Sequence, residues 1–311
     1  MGILGEFIEK SKGMNIHGVK VYKDGEYVEE YFPNGDFPVN QYSIAKSVAS
    51  AAAGFAVDEG LFSLEDNMMD FFRDYDYKKS DYLEMVKIKH LLTMSYGVSE
   101  SLLMMGQREA LMDIDWVTYS LNQTIDRKPG EKFYYSNIPP YLLGVIIARA
   151  SGSTLLDYVD KRLFSKIGID KPEWETDPKG YTFASSGLML STADIMKFGI
   201  LYLNDGMWDG KQLLRKDWIR QSMSKQIKVK DITASKEVGN EENNNENAGN
   251  EEGSLSYGYL FWENFDGSFS ADGKDGQHVL ILRDKNAVVA INSNTEQDVK
   301  ALFFETVYKG L

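Results

Sequence analysis

From Ser43 to Val57 the chain is built of alanine, serine, glycine and apolar residues, and the single charged side chain in that run is Lys46. Small residues on every side predict a helix that is packed all round rather than on one face. Such a helix needs a substantial core about it. With 311 residues, 43% of them hydrophobic and 13% aromatic, the chain can supply one. The length fits one large domain or two intimate ones. A disordered chain, a collagen and a disulfide-stapled miniprotein are excluded. The chain has no cysteine, which excludes thiol catalysis, cysteine zinc sites and iron–sulfur clusters. Acidic residues outnumber basic ones, 47 to 34, so nucleic acid is not an expected partner.

Around that helix the pattern alternates. Residues 18–32 read as a hairpin, with Lys23-Asp24-Gly25-Glu26 as its turn. From 63 to 225 the periodicity is helical, with helices predicted over 115–123, 140–150, 154–167 and 192–203. Strands return over 257–263, 279–283 and 287–292, with a turn at Asp284-Lys285-Asn286, and a helix over 301–308 closes the chain. The expected fold class is α+β: an antiparallel sheet, made from 1–62 and 226–311, flanked by helices and bracketing an all-helical insertion over 63–225. Residues 237–253 hold six Glu, six Asn and three Gly and cannot form a core, so a solvated surface loop without function is expected there. The N-terminal residues read as a short amphipathic helix, because Glu6, Glu9 and Lys10 interrupt the apolar positions. No signal-like or membrane-spanning run occurs, and a cytoplasmic protein is expected.

Three segments carry chemistry. In Gln41-Tyr42-Ser43-Ile44-Ala45-Lys46, Ser43 and Lys46 lie about one turn apart on one helix face. Burial would depress the lysine pKa and free its amine to act as a base. Backbone N–H groups at the helix start would stabilise an anion beside the serine. Those are the needs of an activated serine nucleophile, although a helix N-cap beside a lysine that reaches solvent fits the same residues. A second Ser-x-x-Lys, Ser222 to Lys225, lies in a polar stretch and is expected to be inert.

The second segment is Phe133-Tyr134-Tyr135-Ser136-Asn137. Here a phenol and an amide can face one cleft, and a nearby lysine ammonium would lower the phenol's pKa. The other Tyr-x-Asn, Tyr202 to Asn204, ends an amphipathic helix, and Tyr202 is expected in the core. The third segment is Ala271-Asp272-Gly273-Lys274, where glycine beside a strand edge permits close approach of a ligand. The histidines are His17, His90 and His278; no two are spaced i, i+4 as a helical zinc motif requires, and His90 is expected packed or at the surface. The methionines near 104, 105 and 112 are expected mainly in the core.

Taken together and in this order, these segments resemble the serine β-lactamase and penicillin-binding-protein superfamily. The branch they are most similar to is that of class C β-lactamases, esterases, D-aminopeptidases and 6-aminohexanoate-dimer hydrolases. Lys87 to Gly97, Ser185 to Gly199 and Tyr257 to Trp262 are also similar. The resemblance implies the β-lactamase/transpeptidase-like fold and a serine hydrolase acting on a small ester, amide or short peptide through an acyl-enzyme, without metal or cofactor. It implies Ser43 as nucleophile, Lys46 as its proton partner and Tyr135 as the shuttle to the leaving group. Asn137, Ala271, Asp272, Gly273, Lys274 and Tyr96 would bind substrate, and the amides of Ser43 and Lys274 would hold the oxyanion. The third segment departs from the family pattern, because Ala271 stands where β-lactam-cleaving relatives have a cation. Lys274 would either replace that charge or pair with Asp275, and pairing is the expected outcome. Alternatives are a D-amino-acid peptidase or amidase, a weak β-lactamase, and a non-hydrolytic penicillin-binding sensor or partner-binding domain.

Overall fold

The computed structural model describes residues 2–229 and 255–311, so the acidic stretch 237–253 lies outside the described residues. The chain opens with α1 (Gly5–Lys10) and the hairpin of β1 (Ile16–Lys23) and β2 (Glu26–Tyr31). Asp24 and Gly25 take positive φ at its turn, 51° and 93°, as the twist of a two-residue hairpin demands. A short β3 (Val39–Asn40) leads into α2 (Ile44–Asp58). The middle of the chain supplies α3 (Ile88–Leu92), α4 (Met105–Glu109), α5 (Trp116–Leu121), α6 (Ile138–Ser151) and α7 (Leu155–Arg162). Next come β4 (Met189–Leu190), paired with β3, and α8 (Thr192–Leu203). A small hairpin of β5 (Met207–Trp208) and β6 (Lys211–Gln212) precedes α9 (Lys216–Ser222).

The chain returns to the sheet through β7 (Ile227–Lys228), β8 (Ser256–Tyr257), β9 (Trp262–Glu263), β10 (Phe269–Gly273), β11 (Gln277–Leu282) and β12 (Ala287–Ser293), and α10 (Val299–Thr306) follows. These strands and the N-terminal hairpin form one antiparallel sheet in the order β2-β1-β12-β11-β10-β9-β8-β7. The first hairpin is thus stitched to the last, with Val21 opposite Val289 and Lys23 opposite Ala287. Where a single strand over 257–263 is expected, the chain instead turns between β8 and β9, with Leu260 at φ 62°.

Strand alternation divides the apolar residues between two faces. Val279, Ile281, Val288 and Ala290 point to the core shared with α2, α6 and α8. Leu280, Leu282, Val289 and Ile291 point the other way, onto Phe7 of α1 and Leu302 and Phe303 of α10. Phe7 and Phe303 are fully buried there, each contributing roughly 1.5–3 kcal/mol of burial free energy. The helical block expected over 63–225 holds one helix that belongs by contact to the sheet, since α8 packs on β1, β11 and β12. It lies as close as glycine permits. A methyl on Gly199 would meet Cγ1 of Val288 and of Val279 at 2.6 and 2.7 Å. Between this sheet and the helical middle runs α2, with every residue from Ile44 to Ala56 buried.

Candidate active site

The chain arrives at α2 through a tight bend. Gln41 is fixed by its side-chain amide, which donates to the carbonyls of Leu190 (2.7 Å) and Val39 (3.1 Å). Tyr42 then takes φ 44°, a costly conformation for an aromatic residue, and its N–H is held by Asn40 Oδ1 at 2.8 Å. Ser43 follows as the N-cap of α2 and is half-buried. One turn on, Lys46 is 1% exposed. Its Nζ lies 2.9 Å from Ser43 Oγ and donates to the Ser185 carbonyl at 2.7 Å. Burial, and then the charge of Arg108, hold the amine well below the usual lysine range.

The Tyr135 ring stands 5.1 Å from Lys46 Nζ, and Ser43 lies close enough to act on its phenol. The ring stacks on Trp262, centroids 5.6 Å apart at 25°, in a cluster with Phe133 and Tyr257. A lowered phenol pKa is the expectation, and the reverse holds: burial pushes the Tyr135 phenol up. The reason is physical. The ammonium that would lower it is itself disfavoured by burial, and Asp272 adds a negative charge nearby. The cluster therefore holds an amine driven toward its neutral form, a phenol kept protonated, and a serine hydroxyl bonded to the amine.

With that geometry in hand, the comparisons are specific. A model of the Beta-lactamase family matches residues 8–307.

The chain belongs to the Beta-lactamase family.

A protein of Alkalihalophilus pseudofirmus, itself uncharacterised, is 25% identical over 191 residues, 55% of this chain. The match spans half the length of that curated relative. A Bacillus anthracis protein assigned as a 6-aminohexanoate-dimer hydrolase superposes with a TM-score of 0.78 at 20% identity, over 97% of this chain and 80% of that one. An octameric penicillin-binding protein homologue from Pyrococcus abyssi gives 0.72 at 23% identity, over 99% and 77%. A family VIII carboxylesterase gives 0.73 at 14%, over 99% and 96%. At such identities these three show a shared fold. Among the described residues no single helix is long and apolar enough to cross a membrane.

The other residues of interest in this Beta-lactamase-family chain divide in two. Asn137 joins the site, N-capping α6, but its amide Nδ2 donates to the Leu103 carbonyl (3.0 Å) and meets Met104 Sδ (3.4 Å), while its Oδ1 is buried without a partner. Gly273 joins as well: a methyl on it would meet the Gln41 carbonyl oxygen at 2.4 Å, so the end of β10 presses on the bend before Ser43. Ala271 is buried on the face of β10 that meets the α2 core. Lys274 is exposed and makes no ion pair with Asp275, so the expected pairing does not form; the Asp275 carboxylate acts on the Tyr42 phenol of the bend instead.

Asp272 and Tyr96 are placed elsewhere. Asp272 points to the opposite face of the sheet, where it pairs with Lys300 Nζ of α10 (2.7 Å) and His278 Nδ1 (2.9 Å). Burial alone would raise its carboxyl, but Lys300 and His278 outweigh burial and hold it below the usual range. Alternation explains the displacement: with Ala271 turned to the α2 core, its neighbour must face α10. Tyr96 is 3% exposed, with its hydroxyl directed at the Ser120 carbonyl (3.4 Å) in the helical core. His90 is packed as expected, accepting from the Lys87 N–H at 3.1 Å, and burial first and the neighbouring lysines second lower it to about 4. In the second Ser-x-x-Lys, Ser222 is buried and donates to Trp218 and Ile219 carbonyls, while Lys225 pairs with Glu263 at the surface. Tyr202 is fully buried. Met105 and Met112 are exposed rather than in the core. Sequence reasoning missed Arg108 and Ser185, because an arginine on a short helix and a backbone carbonyl carry no motif.

Proposed function

We propose that this protein cleaves small esters or amides through an acyl-enzyme on Ser43. The carrying observation is the buried Lys46 amine, 2.9 Å from Ser43 Oγ and held below its ordinary pKa. In this reading Lys46 takes the Ser43 proton as Oγ bonds to the substrate carbonyl carbon. Tyr135, kept protonated by burial, gives its proton to the leaving group as the carbonyl–leaving-group bond breaks, and is reprotonated from Lys46. Two groups whose surroundings push their pKa values apart divide the base and acid roles in this way. Water then attacks the acyl-Ser43 ester, its proton passing to the neutral Lys46 amine by way of the Tyr135 hydroxyl, and Lys46 returns a proton to Ser43 Oγ as the acyl–oxygen bond breaks. The amides of Ser43 and Lys274 are the proposed oxyanion donors, supported by the close approach of Gly273 to the bend. Ala271, in the place of a carboxylate-binding cation, favours uncharged esters and amides over β-lactams.

Intact-mass spectrometry during turnover of p-nitrophenyl acetate tests this reading. A transient gain of one acetyl group, mapped to the peptide bearing Ser43, is the expected result. An adduct that never decays would make the protein a penicillin-binding-type sensor, and no adduct at all would make it a binding domain. A panel adding nitrocefin and D-aminoacyl amides ranks the substrates; turnover confined to the amides would replace the esterase reading with an amidase.

One structural variant follows from the same geometry. Gly273→Ala forces β10 away from Gln41 and should lower kcat/KM by about 10–100-fold, since displacements near 1 Å carry such costs. Unchanged kcat/KM in a folded Gly273→Ala protein would remove the strand end from the site.

A further inference from the structure

Arg108 is 8% exposed and belongs to no chemical motif, yet it is bonded to both the Leu103 and the Glu175 segments. Its Nη1 donates to the Leu103 carbonyl at 3.0 Å, the same oxygen that Asn137 Nδ2 engages at 3.0 Å. Leu103 has φ 56°, a strained conformation for a buried leucine that its surroundings must impose. On its other side, Arg108 donates Nε and Nη2 to Glu175, at 3.3 and 3.4 Å, and lies over the Phe183 ring at 4.5 Å. Glu175 is bonded through its backbone to Phe183 and Gly187, which frames the turn holding Ser185. Ser185 closes the circuit: its carbonyl accepts from Lys46, and its hydroxyl donates to the Asn137 carbonyl at 2.7 Å.

We propose that Arg108, braced by Glu175, is a positioning residue for the reaction: its guanidinium fixes the Leu103 carbonyl, and with it Asn137, against the Ser185 turn. The proposal rests on the acyl-enzyme reading above. Lysine cannot replace the fork, because its donors are not planar and paired. Arg108 is also the charge that, after burial, depresses the Lys46 amine. Among the described residues the charged and titratable groups facing Lys46 are Arg108 from α4 and Tyr135 from the 133–137 loop, with Asp272 acting on Tyr135 from β10.

The test is the pH profile of kcat/KM on p-nitrophenyl acetate, with acetyl-adduct formation followed by mass, for wild type, Arg108→Met, Arg108→Lys and Glu175→Gln. Arg108→Met removes the charge, so Lys46 holds its proton to higher pH and the acid limb moves up. Arg108→Lys keeps the charge and loses the fork; its limb stays in place while kcat/KM falls about 10-fold. Glu175→Gln strips the counter-charge and moves the limb down, which keeps the idea testable should Arg108→Met fail to fold. A limb unmoved in every folded charge-altering variant overturns the proposal, since a purely structural arginine would change stability and leave the limb alone. If wild type itself forms no adduct, the acyl-enzyme reading has failed and the proposal falls with it; an adduct in wild type with an unmoved limb rejects only the role of Arg108.

Discussion

Ser43→Ala is expected to lose the covalent adduct altogether and to lower turnover by roughly 10⁴-fold or more, the scale seen when a nucleophile is removed from a unit that acts together. The expectation comes from exclusivity as well as geometry. Ser43 is half-buried at the start of α2, bonded to the one amine buried in that helix and close to the Tyr135 phenol. The rival serine of the second Ser-x-x-Lys is sealed in the core, its hydroxyl spent on the Trp218 and Ile219 carbonyls. Ser222→Ala should therefore acylate like wild type. Intact-mass spectrometry of both variants after ester exposure checks the pair, and an adduct surviving in Ser43→Ala would end the assignment.

Lys46→Met should lower the acylation rate by about 10³-fold or more, because the Ser43 proton loses its acceptor. The variant also has a signature in stability that separates chemistry from folding. An unfolded chain holds the lysine proton up to a pH of about 10.4, whereas the folded chain releases it lower because of burial and Arg108. Between those two values the unfolded state binds more protons, so this group makes wild-type stability rise with pH and level off near the upper value. Methionine carries no proton. The stability of wild type relative to Lys46→Met should therefore increase with pH across that window, as urea unfolding at several pH values would reveal. A pH-independent difference would mean that the amine is charged in the folded protein.

The sequence carried the fold in the elements whose signals are local. The Asp24-Gly25 turn, the small-residue helix after Ser43 and the strand over 287–292 all appear where their residues predict them. It also carried the Ser43–Lys46 pair, because a lysine in an all-buried helix has few places to go. What it withheld depends on three-dimensional neighbours. The inward phase of β10, which buries Ala271 on the α2 side and gives Asp272 to α10, follows from a register that no local pattern fixes. The direction of the Tyr135 shift turned on whether Lys46 is charged, which is a property of burial rather than spacing. Tyr96 is a substrate-binding residue only by the resemblance, and its ring is buried among the helices. The turn between β8 and β9 rests on Leu260 at positive φ, a conformation leucine does not advertise.

The pairing of β1 with β12 has a consequence for biogenesis. As the polypeptide leaves the ribosome, the N-terminal hairpin and the helix bearing the nucleophile emerge early, and the strand on which both depend emerges almost last. Contacts this distant along the chain slow folding and leave apolar surface uncovered in the interval. The sheet behind the Ser43 helix therefore closes only once β12 has been made, well after synthesis of the hairpin and of the helix that lean on it.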